Sequence, residues 1–419
     1  TSLNRKTPSW CYHSSFRCHQ MAKGASPLRA AENATSAAST PFLYTFFFAP
    51  SNTITILDGQ AINGTSMNIG LDTSVTMGVD GLGLVSYLDA TNNALKVAHC
   101  SNVACTEATI TSLDVDNPAS MYSSITLGAD GLGLIGYFAR TSNDDGLKIA
   151  HCSNVTCSDA TLTTLDSGNT GHYVAATTGA DGLGLFTYKR AAGGLKFADC
   201  SNAGCTESTI STVDSDAANH SSVTIGADGL GLISYPRGYV TGVIHHDLMV
   251  AHCSNVSCTE VTRTVLDLEE RIQDHTSVKI GADGLGLISY RSVEGGLKVA
   301  HCSNVQCTAA TITTLDTGLE WLGTYSSLTI GSDGLGLISY RDGFNQHLKV
   351  AHCSNTSCTE ATINSPDQSG SVAGHISVTI GDDGMPLISY YDNGDYSEAV
   401  SQRIVSYLIK ASGMIQEIK

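Results

Sequence analysis

The string G-x-D-G-[LM]-x-L occurs seven times in this chain, with first glycines at Gly78, Gly128, Gly179, Gly226, Gly281, Gly331 and Gly381. The spacings are 50, 51, 47, 55, 50 and 50 residues, so most of the 419-residue chain is one unit copied in tandem. A unit of this size cannot cover its own apolar faces and must be packed between copies of itself.

Each unit reads as four strands. In the fifth, TSVKIG alternates up to the Asp283-Gly284 turn, LGLISY alternates again, GLKVAHC makes a third run and AATITTLD a fourth. Asp-Gly between two such runs signals a tight hairpin, because both central residues can take positive φ. Leu, Val, Ile, Ala and Cys fall on both parities of the middle strands, so both faces of the meander need a neighbour. Radial packing supplies one on each side. The predicted fold is all-β, a seven-bladed β-propeller of ~50-residue four-stranded blades with a non-repeat N-terminal extension. An open solenoid would need polar caps at both ends.

The ends bear on closure. Residues 53–58, TITILD, look like a fourth strand with no strands before it, whereas the seventh unit runs through PLISYYD and lacks the LKVAHC string. Residues 1–52 read as an extension and linker with an apolar strand at 42–49, and residues 53–419 as the propeller. Residues 53–58 then complete the last blade. If the tail SYLIKASGMIQEIK supplies that blade's missing strands, they are instead free for donation to another copy.

The ADGLGLISY and LKVAHC strings, spread over about residues 53–410, resemble secreted β-propellers with BNR or Asp-box repeats, such as sialidase-like proteins. The resemblance implies blade architecture. An Asp box reads S-x-D-x-G-x-x-W, and these turns lack its Trp, so sialidase chemistry does not follow from it.

Six units carry C-S-N-x-x-C, giving the pairs Cys100/Cys105, Cys152/Cys157, Cys200/Cys205, Cys253/Cys258, Cys302/Cys307 and Cys353/Cys358; Cys11 and Cys18 make up the 14 cysteines. Each repeated pair flanks the turn between third and fourth strands, where facing Cβ atoms come within disulfide range. Zinc is the rival reading, since a histidine precedes most first cysteines. Adjacent strand residues point to opposite faces, however, so His99 and Cys100 do not readily share a metal. The third unit has Asp199 in place of the histidine and keeps both thiols, which favours disulfides and an oxidising compartment. Neither a metal nor another cofactor is expected.

His99, His151, His252, His301 and His352 recur in five units, and are read as packing residues that bond backbone groups. The turn aspartates and strand-ending tyrosines recur in all seven. A group spread around a ring is architecture before it is a site. Unique residues are better candidates: Tyr239, His245 and His246 in the enlarged fourth unit, and Trp321, form a candidate ligand or partner surface. Arg140, Arg190, Arg237, Arg291 and Arg341 end second strands, but no Tyr/Glu pair of a sialidase accompanies them.

Six sequons begin at Asn33, Asn63, Asn154, Asn219, Asn255 and Asn355, candidates for glycosylation. Net charge is −17 with 22 Lys+Arg against 39 Asp+Glu, which argues against nucleic acid and anionic lipid as partners. The longest strongly apolar run, residues 42–49, is too short to span a bilayer. These features predict a non-enzymatic, extracellular or cell-surface structural or adhesive protein of the matrix, self-associating head to tail into filaments by N-terminal strand donation. A carbohydrate-binding or glycan-hydrolysing propeller is the alternative.

Overall fold

The computed structural model describes residues 53–58, 68–115, 121–140, 145–217, 219–240, 244–268, 272–293, 296–318, 321–369, 371–392 and 403–408. The fold is an all-β propeller of four-stranded blades, with no helix among the described residues. Six blades are continuous in sequence. The fifth is typical, with strands Ile272–Ile280, Gly286–Ser292, Gly296–Cys302 and Ala310–Asp316 paired antiparallel in that order. The first strand of each sheet packs against the first strand of the next, which makes it the inner strand.

The expectation of seven like blades is thus corrected to six blades continuous in sequence and one composite sheet, because the seventh unit has no LKVAHC string. That sheet runs Val372–Ile380, Pro386–Asp392, Arg403–Leu408 and then Thr53–Ile56 from the other end of the chain. Thr53 pairs with Leu408 and Ile56 with Val405. The edge that a donated strand would need is therefore occupied within the chain.

Two repeated devices bind sheet to sheet. The tyrosine closing each second strand is wholly buried and donates to an aspartate at the end of the preceding sheet: Tyr137 to Asp114 at 2.8 Å, Tyr235 to Asp214 at 2.9 Å, Tyr290 to Asp267 at 2.8 Å. A lysine joins most of these, as Lys196 does Asp166 at 2.6 Å. Tyr87 of the first blade uses Asp58, which follows the N-terminal strand, at 2.8 Å. Thr53–Ile56 thus occupies the place of an outer strand. In the second device, a serine on one inner strand accepts the edge N–H of the next, as Ser277 does from Leu328 at 3.0 Å. Ser377 accepts from Val75 at 3.1 Å, joining last sheet to first.

The Asp-Gly turns differ from expectation. Gly78 N donates to Leu82 O at 2.8 Å and Gly81 N to Gly78 O at 3.0 Å, so the loop has three residues. Only the glycine takes positive φ, 74° at Gly81. The Asp80 carboxylate accepts from Leu82 N at 3.1 Å, stabilising a type I turn followed by a glycine bulge. The next repeated glycine has a packing reason: a Cβ on Gly133 would lie 2.8 Å from Cys152 Sγ and 2.9 Å from Leu84 Cδ2.

All six repeated cysteine pairs are disulfides, Cys100–Cys105, Cys152–Cys157, Cys200–Cys205, Cys253–Cys258, Cys302–Cys307 and Cys353–Cys358, with Cα–Cα separations of 4.8 to 4.9 Å. Their setting is a correction to the expectation of two cysteines facing each other from paired strands. Each first cysteine does end a third strand, but Cys105, Cys157, Cys205, Cys258, Cys307 and Cys358 lie inside the loop, three residues before the fourth strand begins. The reason is a tight turn within the loop: the N–H of each second cysteine donates to the carbonyl of the asparagine three residues earlier, at 2.9 Å for Cys105 and 3.0 Å for Cys205, Cys258 and Cys358. These cysteines sit at positive φ, 47° at Cys105, 50° at Cys157 and Cys205, 52° at Cys258, 54° at Cys307 and 51° at Cys358. A left-handed non-glycine residue costs about 1–2 kcal/mol, and closing so short a loop contributes about 2 kcal/mol in the chain-entropy model. The bridge offsets the strain of its own turn. Cys11 and Cys18 lie outside the described residues.

The repeated histidines bond a side chain, not a backbone group. His99, His151, His252 and His301 each place Nε2 2.8 Å from the turn aspartate of their own blade, and His352 does so at 2.9 Å. In the third blade, Asp199 accepts from Ser257 Oγ of the next disulfide turn at 2.6 Å.

Candidate functional site

The residue six positions before each repeat's first glycine is Asp72, Tyr122, Tyr173, His220, His275, Tyr325 or His375. The inner strands gather all seven around one cavity of about 200 Å³. Six lie where the pairing of first and second strands slips by a bulge, for example between Leu71 and Ser74 and between Thr324 and Ser327. A bulge re-aims its side chain. Here it turns a residue that would face a neighbouring sheet toward the axis.

This placement is strained. Asp72, Tyr122, Tyr173, Tyr325 and His375 have φ of 50°, 58°, 52°, 55° and 50°. Left-handed backbone at bulky residues is retained where the surroundings impose it, and such strain clusters at functional sites.

The side chains form a circuit. Ring centres are 4.2 Å apart for Tyr122–Tyr173, 4.3 Å for Tyr173–His220, 3.9 Å for His220–His275, 4.2 Å for His275–Tyr325 and 5.0 Å for Tyr325–His375. His375 Nδ1 then meets Asp72 Oδ1 at 2.9 Å, and Asp72 Oδ2 accepts Tyr122 N at 2.9 Å. The His375–Asp72 contact joins the last repeat to the first. A folded seam is required to assemble it.

Electrostatics distinguish the members. Burial opposes charge on Asp72, but His375, the Tyr122 N–H and His275 outweigh it and hold the carboxyl below its ordinary value. Burial drives His275 well below the ordinary imidazole value, with His220 and His375 adding to the effect. Burial and a hydrogen bond with Tyr173 push the Tyr122 phenol up. Near neutral pH the cavity therefore holds one carboxylate, an uncharged His275 and an un-ionised Tyr122. Serine and threonine hydroxyls line the layer beneath, and neither lysine nor arginine is among the lining residues. At the rim, Lys189 is held by Asn219 at 2.6 Å and lies 5.9 Å from the Tyr173 ring centre.

Such a surface offers many hydrogen-bond donors and acceptors with little charge. It suits a polyhydroxylated ligand better than an anion. His375 engages Asp72 through Nδ1, an imidazole–carboxylate pair of the kind that can move a proton. Among the described residues no cluster of three or more His, Cys, Asp or Glu is arranged to hold a metal ion.

The structure scatters the other sequence candidates. Tyr239 pairs with His245, and Gly238 with His246, in the hairpin that lengthens the fourth blade. That hairpin joins second and third strands, so it lies at the same end of its sheet as the ring. Trp321, just before an inner strand, is at that end too. The disulfides, Asp-Gly turns and repeated histidines occupy the opposite end. Arg291 Nε donates to Leu322 O at 3.1 Å and Arg341 Nε to Val372 O at 2.8 Å, so these second-strand arginines serve the next sheet and not a carboxylate ligand. Asn154, Asn255 and Asn355 brace the disulfide turns through their amides, at 2.8 to 2.9 Å from Ser158, Thr259 and Thr359 Oγ. Asn202 makes the same contact without a sequon, at 3.0 Å to Thr206, so the turn uses this asparagine whether or not a sequon surrounds it. Asn33 and Asn63 lie outside the described residues. No described helix is long and apolar enough to cross a membrane.

Sequence reasoning missed the ring because it sought function in irregular units. The available signal was a single repeat column whose residues differ in chemistry from unit to unit.

No protein-family model matches the chain, and no curated protein does. Solved structures do. A protein of unknown function from Dyadobacter fermentans aligns over 85% of this chain and 97% of its own, with TM-score 0.55 and 11% identity. A polysaccharide lyase acting on ulvan aligns over 85% and 96%, with TM-score 0.51 and 12% identity. An α-L-arabinofuranosidase of Fusarium graminearum, solved with arabinobiose, aligns over 85% and 98%, with TM-score 0.50 and 8% identity. At such identities the likeness shows the propeller fold. The expectation of a non-enzymatic structural or adhesive filament is corrected: the neighbours with assigned activities act on glycans, and Thr53–Ile56, a candidate for donation, pairs within its own chain, while the apolar run at 42–49 lies outside the described residues.

Proposed function

We propose that this chain is an extracellular glycan-binding propeller that takes an uncharged saccharide in the axial cavity lined by Asp72, Tyr122, Tyr173, His220, His275, Tyr325 and His375. In this reading the composite sheet is the seventh blade and closes the ring within one chain. The observation that carries the proposal is the divergent column itself: its residues are strained, polar and aromatic, and they converge on one cavity. Net charge and the absence of lysine and arginine from the cavity lining argue against acidic sugars, for which the Asp72–His375 pair offers no net positive charge. Six disulfides fit an oxidising, extracellular setting. The glycan-active neighbours give the reading its context, and the Asp72–His375 pair makes cleavage worth assaying alongside binding.

A panel of neutral and acidic oligosaccharides tests it by calorimetry, with chromatography of each mixture for products. Saturable binding of a neutral member, lost in Tyr173→Ala, is expected. Preference for sialylated or uronate-bearing members would overturn the assignment of ligand class.

A further inference from the structure

Trp321 is one of two tryptophans in the chain and is 53% exposed. Its backbone is nevertheless anchored on two sides. Its carbonyl accepts from Gly343 N at 3.1 Å and from Thr324 Oγ1 at 3.2 Å, and the buried Arg291 guanidinium lies 5.3 Å from the ring centre. Its φ is 71°, a conformation that a bulky aromatic residue rarely adopts. Gly343 is fitted to it: a Cβ there would come within 2.5 Å of Trp321 Cβ. Phe344, the next residue in the second hairpin, is 64% exposed.

The first blade shows what this corner looks like without aromatic residues. There Ala90 N donates to Asn68 O at 2.7 Å, as Gly343 N does to Trp321 O, and Asn68 N donates to Thr91 Oγ1 at 2.5 Å. The third blade has Asn169 at the corresponding place with φ 60°, a residue that tolerates this conformation. In the sixth blade, Trp321 and Phe344 replace a polar pair and leave two apolar rings in solvent. Folding gains nothing from that exposure.

Trp321 also lies four residues before Tyr325 of the axial ring, on the same inner-strand entry. Regular strand rises about 3.3 Å per residue, and the register slips between Leu322 and Thr324 and again before Ser327, so the two Cα atoms lie no more than about 13 Å apart. That is a distance a short saccharide chain covers.

We propose that Trp321, with Phe344 beside it, is an outer subsite on which a further sugar of the same glycan stacks, so that the ligand is a chain leading from the axial cavity across the sixth blade. This rests on the glycan reading of the ring. One face of the indole is set by Arg291, and an aromatic platform fixed in advance loses little entropy when a pyranose or furanose face covers it.

The test uses the full chain carrying Trp10→Phe, which leaves Trp321 as the single indole fluorophore. Arabino-, xylo- and galacto-oligosaccharides are titrated as disaccharides and as hexasaccharides, by fluorescence and by calorimetry. The expected result is a saturable change in Trp321 emission with a hexasaccharide. Trp321→Ala should then weaken the hexasaccharide about tenfold, the scale of one aromatic stacking contact, and the disaccharide by less than about twofold. Gly343→Ala, which displaces the indole without removing it, should show the same split. Calorimetric binding with silent Trp321, or equal loss for both lengths, overturns the outer subsite and leaves the ring reading standing. Failure of every saccharide to bind overturns both.

Discussion

The two ends of each inner strand face different demands. At the Asp-Gly end, unit after unit repeats one solution: a three-residue turn, a disulfide, a histidine on the turn aspartate. At the entry end the same strand presents Asp, Tyr, Tyr, His, His, Tyr and His in successive units. Packing against an identical neighbour calls for identical residues. A column that meets its copies on the axis, and not a neighbouring sheet, is free of that demand and can be differentiated for a ligand.

Breaking the architectural side should have the largest effect. Asp114→Ala strands the buried Tyr137 hydroxyl and the Lys148 ammonium, and should cost about 3 kcal/mol in urea unfolding. Tyr173→Ala should shift the same curve by less than about 1 kcal/mol while removing glycan binding. If the two variants exchange these phenotypes, the distinction between the ends fails.

Replacing Cys152 and Cys157 together by alanine should cost about 2 kcal/mol under oxidising conditions, with no difference from the parent once both are reduced. A loss of ligand affinity in that variant would instead tie the disulfide end to function.

A smaller effect appears with pH. The folded state keeps His275 uncharged well below 6.5, whereas the unfolded chain binds a proton there, so stability falls as pH drops below 6.5. Asp72 acts in a lower window, its contribution being lost only below its ordinary value of 3.8. Unfolding from pH 7 to 4.5 should therefore show a shallower decline in His275→Gln than in the parent, and a parallel decline would remove the buried histidine from the account.

The smallest change should come from His301→Asn. Its aspartate is partly exposed, and such pairs contribute about 0–1 kcal/mol. The third blade already lives with Asp199 at this position.

Much of the fold could be read before the structure. Copies of G-x-D-G with alternating strands define a four-stranded blade, and the five-residue step from Cys100 to Cys105 is short enough for a turn to close into a disulfide. The position of Cys105 inside that turn, and not on the facing strand, was beyond reach, because a left-handed cysteine has no sequence mark. The stray TITILD and the missing LKVAHC string belong to one sheet. The aim of Tyr122 or His375 could not be read either: alternation alone points them at a neighbouring sheet, and only the bulge, a backbone slip with no residue signature of its own, turns them inward. The histidine partner was missed for a related reason. His301 and Asp283 are 18 residues apart, and nothing in their spacing shows that two strand ends bring them to 2.8 Å.

The most direct test is a calorimetric titration of one neutral oligosaccharide, drawn from the arabino, xylo and galacto series, against the parent chain, Tyr173→Ala and His301→Asn. Divergence of the axial column for a ligand predicts that Tyr173→Ala loses on the order of tenfold or more in affinity while His301→Asn stays within about twofold. Equal affinity in Tyr173→Ala and the parent, or loss confined to His301→Asn, would contradict it.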